Sequence, residues 1–470
     1  MNITKSIKSN KIFLIVILGL AVRFLFTLFF ADLFYNRPNI FVDGDTQAWA
    51  ISFQNLFETG SYTINPGHEY GYFGRMPGYS FFIGIFWLFI GNWDHVFPVV
   101  GWFQIFLDTI SIFLVYRIAQ RIFKNDSTAL FASLLYALYP FIIVWNPVVY
   151  SECTSVFLML FSLYHLLQKK PVNTFWSGLL LGLGILFRPQ LLFLLPVYII
   201  AIFISEKRIL SKSVLLFVFA ILITYGVWPL RNIAYHNKVI LTQDLRGMKN
   251  WNADVLSFMQ YTYSVKAEWE PQFSSIIKNT PTTWPKESYR TKNDSLLLDH
   301  AVILSKNCGS GFSFWKGYWK NTVEENNSCT KEVSTIFNYL RNNQIIYNSI
   351  NYYLIVPFSN LKKAVFKSAL YNAGSSVGII ASLLFYYRTI LILSGLLGII
   401  LMAFRKHYYY LIFISFFLLL YGTLCWGGTP QMRNIEIRYF IHADILLLFP
   451  AAFLIRSIFE KINLHMFLKN

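Results

Sequence analysis

Two carboxylates separated by one glycine, Asp43 and Asp45, stand in the stretch Phe41-Val42-Asp43-Gly44-Asp45-Thr46-Gln47-Ala48-Trp49. They lie just past the first long apolar run. A charge that drifts into lipid there is costly, whereas one that points into a cavity is useful. The local D-G-D could grip a divalent cation through hard oxygen ligands, or one carboxylate could serve as a general base. The bland alternative is a solvated turn, because Asp-Gly is a common turn dipeptide. A further acid, Glu152, closes the stretch Val148-Val149-Tyr150-Ser151-Glu152, and four arginines, Arg75, Arg188, Arg231 and Arg438, stand near the ends of apolar runs. A guanidinium offers a planar fork and a permanent charge, which suits a phosphate. Its bland alternative is snorkelling to headgroups.

The elements that must hold these groups are membrane helices. The chain has 470 residues, 55% hydrophobic and 19% aromatic, with only 13% charged and a mean hydropathy of +0.47. A soluble domain has roughly a quarter of its residues charged, so this chain lacks the charge to coat a water-facing surface. Collagen, disorder, a disulfide mini-scaffold and an ordinary cytosolic enzyme are excluded. The net charge of +17 sits mostly in short basic clusters between apolar runs. That is the pattern of cytoplasmic loops, not of nucleic-acid binding. The fold class expected is an all-α polytopic membrane protein.

Charge and parity set the topology. The first apolar run, residues 12–31, follows Lys5, Lys8 and Lys11 without a small-residue cleavage site, so it reads as an uncleaved first helix with its N-terminus inside. Further basic clusters occur at residues 117–124, 169–170, 207–212, 405–407 and 456–461. If each is cytoplasmic, an even number of crossings separates successive clusters. Parity then makes the short run 77–90 an interfacial or re-entrant helix and 97–119 a span. Runs 129–145 and 153–167 go out and return, leaving 148–152 outside. The run 174–204 turns at Arg188-Pro189, where proline breaks the helix ladder. Run 214–230 exits, and 379–404, 409–424 and 439–455 complete about ten crossings.

This reading divides the chain into a transmembrane module with two external loops (1–240), a mixed external domain (241–375) and C-terminal helices (376–470). The external part is polar, interrupted by Trp251, Trp269, Trp284, Trp315 and Trp319, and its later part, residues 348–367, has the aromatic-and-lysine pattern of a helix lying on the outer leaflet. Cys308 and Cys329 both fall in it and are the candidate disulfide. A bridge there would close a loop of about twenty residues and stabilise it by roughly 3 kcal/mol. Cys153 and Cys425 have no obvious partner, and no CxxC or HExxH spacing occurs. Asp108, His165 and His442, inside helices, read as packing or helix–helix hydrogen bonds.

Several segments in chain order carry a resemblance. Asp45 with Trp49 four residues on, Gly60-Ser61-Tyr62, then Gly74-Arg75-Met76-Pro77-Gly78-Tyr79-Ser80, resemble the first loop of the C-class (GT-C) membrane glycosyltransferases. The branch most resembled holds the bacterial protein O-mannosyltransferases and the aminoarabinose transferase of lipid A. Residues 148–152 look like its second-loop acidic motif, and residues 178–184 with Leu186-Phe187-Arg188-Pro189 like its Gly-rich, Arg-Pro helix pair. Trp228-Pro229-Leu230-Arg231-Asn232 looks like its exit from the bundle, and Ile437-Arg438-Tyr439 like its last helix. The resemblance covers residues 1 to 240 well and the C-terminal helices loosely. The external domain matches no family pattern.

The resemblance implies an inverting transfer of one sugar from a polyprenyl-phosphate carrier to an acceptor hydroxyl outside the cytoplasm, at the cell membrane. A carboxylate must take the acceptor proton, and cations must hold the phosphate as its charge grows. Asp45 is the choice for the base and Asp43 the runner-up, with Glu152 positioning acceptor or sugar. Arg75, Arg188, Arg231 and Arg438 are the candidate phosphate ligands. No metal or other cofactor is expected to be required, although Asp43 and Asp45 leave a divalent cation open. The expected partners are the lipid-linked donor, a lipid, glycan or protein acceptor, and the bilayer. The competing classes are a flippase of lipid-linked sugars and an envelope glycan polymerase or ligase. A flippase would spread its polar residues along the helices with access from both sides, and a polymerase would centre on Arg and His in a large external loop.

Overall fold

The computed structural model describes residues 3–37, 39–208, 210–317, 326–366, 376–427 and 436–467. Among these the chain is helical, with no strand. Helix α1, Ile3–Leu25, continues through a π-helical turn, Phe26–Phe30, to Tyr35. Its flank is apolar and open to the surroundings, as Phe13, Leu14, Leu28 and Phe29 are all exposed. In water such a face would be unstable; in lipid it is solvated.

The loop after the first helix folds next. Helix α2, Gly44–Thr59, starts on a reciprocal cap: the Asp43 side chain accepts from the backbone, and Thr46 Oγ1 accepts from Asp43 N–H at 3.1 Å. It stops at Gly60, whose φ of +75° needs no Cβ. Helix α3, Pro77–Ile90, has proline in its first turn, where the missing N–H costs nothing. Helix α4, Trp93–Phe123, is the long central helix. Helix α5, Asp126–Ala137, ends before Tyr139-Pro140, so the run 129–145 expected to be one span is broken. The residue before a proline is pushed out of the helical region.

Helix α6, Glu152–Leu166, and helix α7, Pro171–Phe187, follow. At Arg188 the backbone is extended (φ −142°, ψ 113°) because Pro189 comes next, and the chain resumes as helix α8, Leu194–Glu206. Helices α9, Lys212–Thr224, and α10, Val227–His236, form a pair bent by 47°. The polar segment that follows includes α11, Ala253–Val265, α12, Lys292–Asn307, α13, Asn327–Tyr347, and α14, Val356–Phe366. The bundle closes with α15, Ser376–Phe404, α16, Tyr410–Trp426, and α17, Ile441–Phe467. Among the described residues five helices are long and apolar enough to cross a membrane, and up to six if the bent pair is one span. The ten expected crossings also count shorter helices such as α6, α7 and α16.

Two buried ion networks tie the bundle together. Arg23 of α1 pairs with Asp108 of α4 at 2.6 Å and donates to the carbonyls of Gly19 and Ala137, while Asn146 donates to the same carboxylate at 3.0 Å. Asp108 is therefore the helix–helix group expected of it. Arg388 of α15 pairs with Asp444 of α17 at 2.7 Å, and the hydroxyls of Tyr421 and Tyr139 donate to Asp444 at 2.6 and 2.9 Å. Buried charges persist in such a setting only when paired and hydrogen-bonded.

The polar segment 241–375, expected to be a mixed external domain, is built of helices among its described residues. Its core is Phe258, Tyr261, Phe312, Phe337 and their neighbours, with Trp251, Trp269, Trp284 and Trp315 packed around it. Trp319 lies outside the described residues. Cys308 and Cys329 are disulfide-bonded, their Cα atoms 6.0 Å apart. In the amphipathic stretch 348–367 a π-helical turn, Asn351–Ile355, precedes α14, and Lys367 is outside the described residues. Ile350, Leu354, Ile355 and Phe358 are exposed along it.

Candidate active site

Residues from the loops around 41–76 and 146–152 and from the entry to the last helix converge on Asp45. The loops are clasped by their backbones. Val149 N–H donates to Phe41 C=O at 2.8 Å, Thr46 Oγ1 donates to Val149 C=O at 3.1 Å, and Gln104 of α4 donates to Val148 C=O at 2.9 Å. Gly101 lets α4 approach this clasp: a Cβ there would lie 2.6 Å from Pro147 C=O and from the Phe41 ring. Gly78 does the same for α3, where a Cβ would lie 2.7 Å from the Leu186 backbone. That contact brings the start of α3, and so Arg75, beside the end of α7, and so Arg188.

Asp45 sits in the first turn of α2, and its two oxygens are divided between two arginines. Oδ1 accepts from Arg75 Nη2 at 2.6 Å and Oδ2 from Arg438 Nη1 at 2.8 Å. Arg75 lies over the Trp49 ring at 4.8 Å, and Arg438 over Tyr150 at 5.2 Å. Glu436 takes Arg438 Nε at 2.6 Å. Burial alone would raise the Asp45 pKa, but Arg75 and Arg438 outweigh it and hold the carboxyl well below the usual carboxylate range. The carboxylate is thus ionised and bound up at the same time. Arg75 Nε is buried without a partner, so the clasp leaves a donor to spare.

Glu152 and Arg188 form a second pair beside the first. The Glu152 side chain is fully buried and accepts from Arg188, while Glu152 Oε2 and Arg188 Nε have no protein partner. Next to them Ser155 Oγ and His442 Nε2 are 2.8 Å apart.

Asp43 and Arg231 stand outside this cluster. Asp43 caps α2, with Oδ1 accepting from Gly44 N–H at 2.7 Å and Oδ2 paired with Arg37 at 2.7 Å. Arg231 gives both its terminal nitrogens to loop carbonyls, Tyr72 at 3.0 Å and Tyr62 at 3.1 Å. It ties the first loop to the bundle. Sequence reasoning missed Arg37, Glu436 and Tyr150; Glu436, two residues before Arg438, was the most readable of these.

All four oxygens of Asp43 and Asp45 face a guanidinium or a backbone N–H, and among the described residues no group of three or more acidic, histidine or cysteine side chains is placed to hold a metal. This donor set does not fit a divalent cation, which wants several free oxygens around one point.

The helical architecture is that of a polytopic membrane protein, and its fold is that of the C-class glycosyltransferases. Within it, residues 75–229 match the family described as dolichyl-phosphate-mannose-protein mannosyltransferase. That stretch contains Arg75, Glu152 and Arg188; Asp45, Arg231 and Arg438 lie beyond its ends. No curated protein sequence matches the chain. Among solved structures it is similar to an oligosaccharyltransferase of Archaeoglobus fulgidus tethered with an acceptor peptide containing the NVT sequon (TM-score 0.54, 11% identity, 97% of this chain and 50% of that one). It is also similar to the oligosaccharyltransferase AglB of the same organism in complex with an inhibitory peptide and a dolichol-phosphate (TM-score 0.49, 12% identity, 100% of this chain and 52% of that one). The chain spans about half the length of these relatives, and at such identity the likeness concerns the fold.

Proposed function

We propose that the protein is an inverting glycosyltransferase that moves a monosaccharide from a polyprenyl-phosphate carrier to an acceptor hydroxyl on the extracytoplasmic side of the cell membrane. The observation that carries this reading is the Asp45 carboxylate held between Arg75 and Arg438, 2.6 and 2.8 Å away.

The donor phosphate exchanges with Asp45 for the two guanidiniums. Freed from them, Asp45 regains basicity and takes the acceptor proton. The acceptor oxygen attacks the anomeric carbon from the face opposite the phosphate. The bond from that carbon to the phosphate oxygen breaks, and its electron pair stays on the phosphate. Arg75 and Arg438 hold the charge that develops there, with Arg188 close by. Glu152 positions the acceptor or sugar. No step is routed through a metal. An apolar groove of about 380 Å³ between α8, α9 and α10, lined by Leu195, Ile199, Phe217, Ile221 and Pro229 among others, suits a prenyl tail. Trp228, one turn along, packs on Tyr62, whose hydroxyl donates to Met76 C=O next to Arg75.

The test is sugar transfer by the purified protein from synthetic polyprenyl-phosphate hexoses and pentoses, followed as release of the free lipid phosphate. Release that needs an acceptor and disappears in Asp45→Asn supports the reading. Donor carried across vesicle membranes unchanged, with no release, overturns it.

A further inference from the structure

On the face of the external domain a cleft of about 250 Å³ opens between the start of α12 and the end of α13. Polar and planar side chains contribute to its lining, namely Ser288, Arg290, Asp294, Asn343, Tyr347 and Asn348, and Leu340 is the only aliphatic side chain in it. Ser288 is 1% exposed, beside the Tyr261 hydroxyl. Gln344 donates to Glu287 C=O at 2.7 Å, but two other amide contacts are slack. Asn343 reaches Asp294 at 3.4 Å, and Asn348 reaches Gln344 at 3.4 Å. Arg290 lies over the Tyr347 ring at 4.0 Å, and Tyr347 is 59% exposed. Amides and hydroxyls that donate or accept, and carboxylates that accept, beside an aromatic face, match the hydroxyls and CH faces of a sugar ring. Glu287 and Asp294 against the single Arg290 leave the cleft net negative, which disfavours a phosphate.

The chain leaves this cleft straight into apolar surface. Ile346 and Ile350, on either side of Tyr347 and Asn348, are 68% and 67% exposed. Tyr353, Leu354 and Ile355 continue the ridge into α14, the amphipathic stretch suited to a bilayer surface. A soluble sugar would have no use for that ridge. A peptide would look for an open strand edge or an apolar anchor pocket, and the cleft offers neither.

We propose that this cleft takes the glycan headgroup of a glycolipid whose hydrocarbon lies along the ridge from Ile346 to Ile355, which, resting on the transferase reading above, makes the acceptor a glycolipid. The external domain then captures the acceptor at the membrane surface, and its free hydroxyl is delivered toward Asp45 within the same leaflet.

The experiment holds the full chain in phosphatidylcholine nanodiscs and measures saturation transfer to octyl glucoside, octyl galactoside and octyl mannoside below their micelle concentrations. Their methyl glycosides, octanol and a sequon-type peptide serve as comparisons. At least one octyl glycoside should receive saturation on its ring protons and first methylenes, above the methyl glycoside and octanol. Tyr347→Ala and Arg290→Ala remove exposed side chains, so the fold is kept, and each should weaken this binding roughly tenfold. Ring signals that ignore both substitutions, octanol bound as well as the glycosides, or the peptide bound in their place would overturn the proposal. No donor is needed for this readout. A protein that turns over donor but shows no ring signal refutes the cleft alone, and one that binds the glycoside but never turns over donor refutes the transferase reading alone.

Discussion

Replacing Asp45 by Asn tests the base and the clamp together, because the two roles pull in opposite directions. As a general base Asp45 contributes on the order of 10²- to 10⁴-fold to turnover, and Asn retains the shape without the proton affinity. Turnover should fall by that factor. As a clamp, Asp45 competes with the incoming phosphate for Arg75 and Arg438. Each of its two charge-assisted hydrogen bonds, at 2.6 and 2.8 Å on a side chain 21% exposed, is worth roughly 1.5–3 kcal/mol. The phosphate regains much of this, so the competition costs about 1–3 kcal/mol. Removing it should tighten binding of polyprenyl phosphate about fivefold to a hundredfold. Calorimetry with the free lipid phosphate and steady-state release assays measure the two effects on one sample.

The pH profile adds a third measure. Without donor the arginines hold the Asp45 carboxyl well below the usual range, so kcat/KM should show no acid limb from it while the protein stays folded. In the donor complex the phosphate draws the arginines away, so the acid limb of kcat should appear at higher pH. Turnover of Asp45→Asn within about threefold of the parent, or phosphate binding weakened as much as by Arg75→Ala, would refute the reasoning.

Arg75→Lys keeps a charge but loses the fork, and should weaken phosphate binding. Arg231→Lys should leave phosphate binding unchanged while raising proteolysis of the first loop, since Arg231 holds only the Tyr62 and Tyr72 carbonyls across to that loop. Asp254, buried without a cation, has its carboxyl pushed up to about 6 by burial, which outweighs the Val255 and Gly311 N–H groups. The folded form therefore holds a proton that the unfolded form has released between about pH 4 and 6. Stability of α11 falls as pH rises through that window and is flat above it, by on the order of 3 kcal/mol; hydrogen exchange of residues 253–265 should show this slope, and Asp254→Asn should remove it. Replacing Cys308 and Cys329 by Ser should lower the unfolding free energy of the external helices by roughly 3 kcal/mol, read by denaturant titration with and without reductant. Asp444→Asn strands Arg388 inside the bundle and should cost about 3–5 kcal/mol, seen as lost thermal stability in detergent.

Much of the architecture follows from local sequence. Runs of apolar residues, prolines at 77, 171 and 189, and glycines at 60 and 91 set where helices begin, break and stop, because hydrocarbon solvent and backbone sterics act residue by residue. The break at Arg188-Pro189 was legible in this way. The break between α5 and Pro140 was not read, although Tyr139-Pro140 carries the same signal. Of the site, the sequence supplied the residue types, the two loops and the arginines near helix ends, but it ranked Asp43 next to Asp45 and Arg231 beside Arg75.

Only the tertiary structure separates these pairs. Asp43 and Asp45 differ by two positions on one turn, so one faces Arg37 and the helix cap while the other faces Arg75 and Arg438, 30 and 393 residues away. Which guanidinium meets which carboxylate depends on how closely α3, α4 and α7 pack at Gly78 and Gly101 and on the entry angle of α17. Such long-range geometry is a property of the packed bundle, and no window of neighbouring residues encodes it.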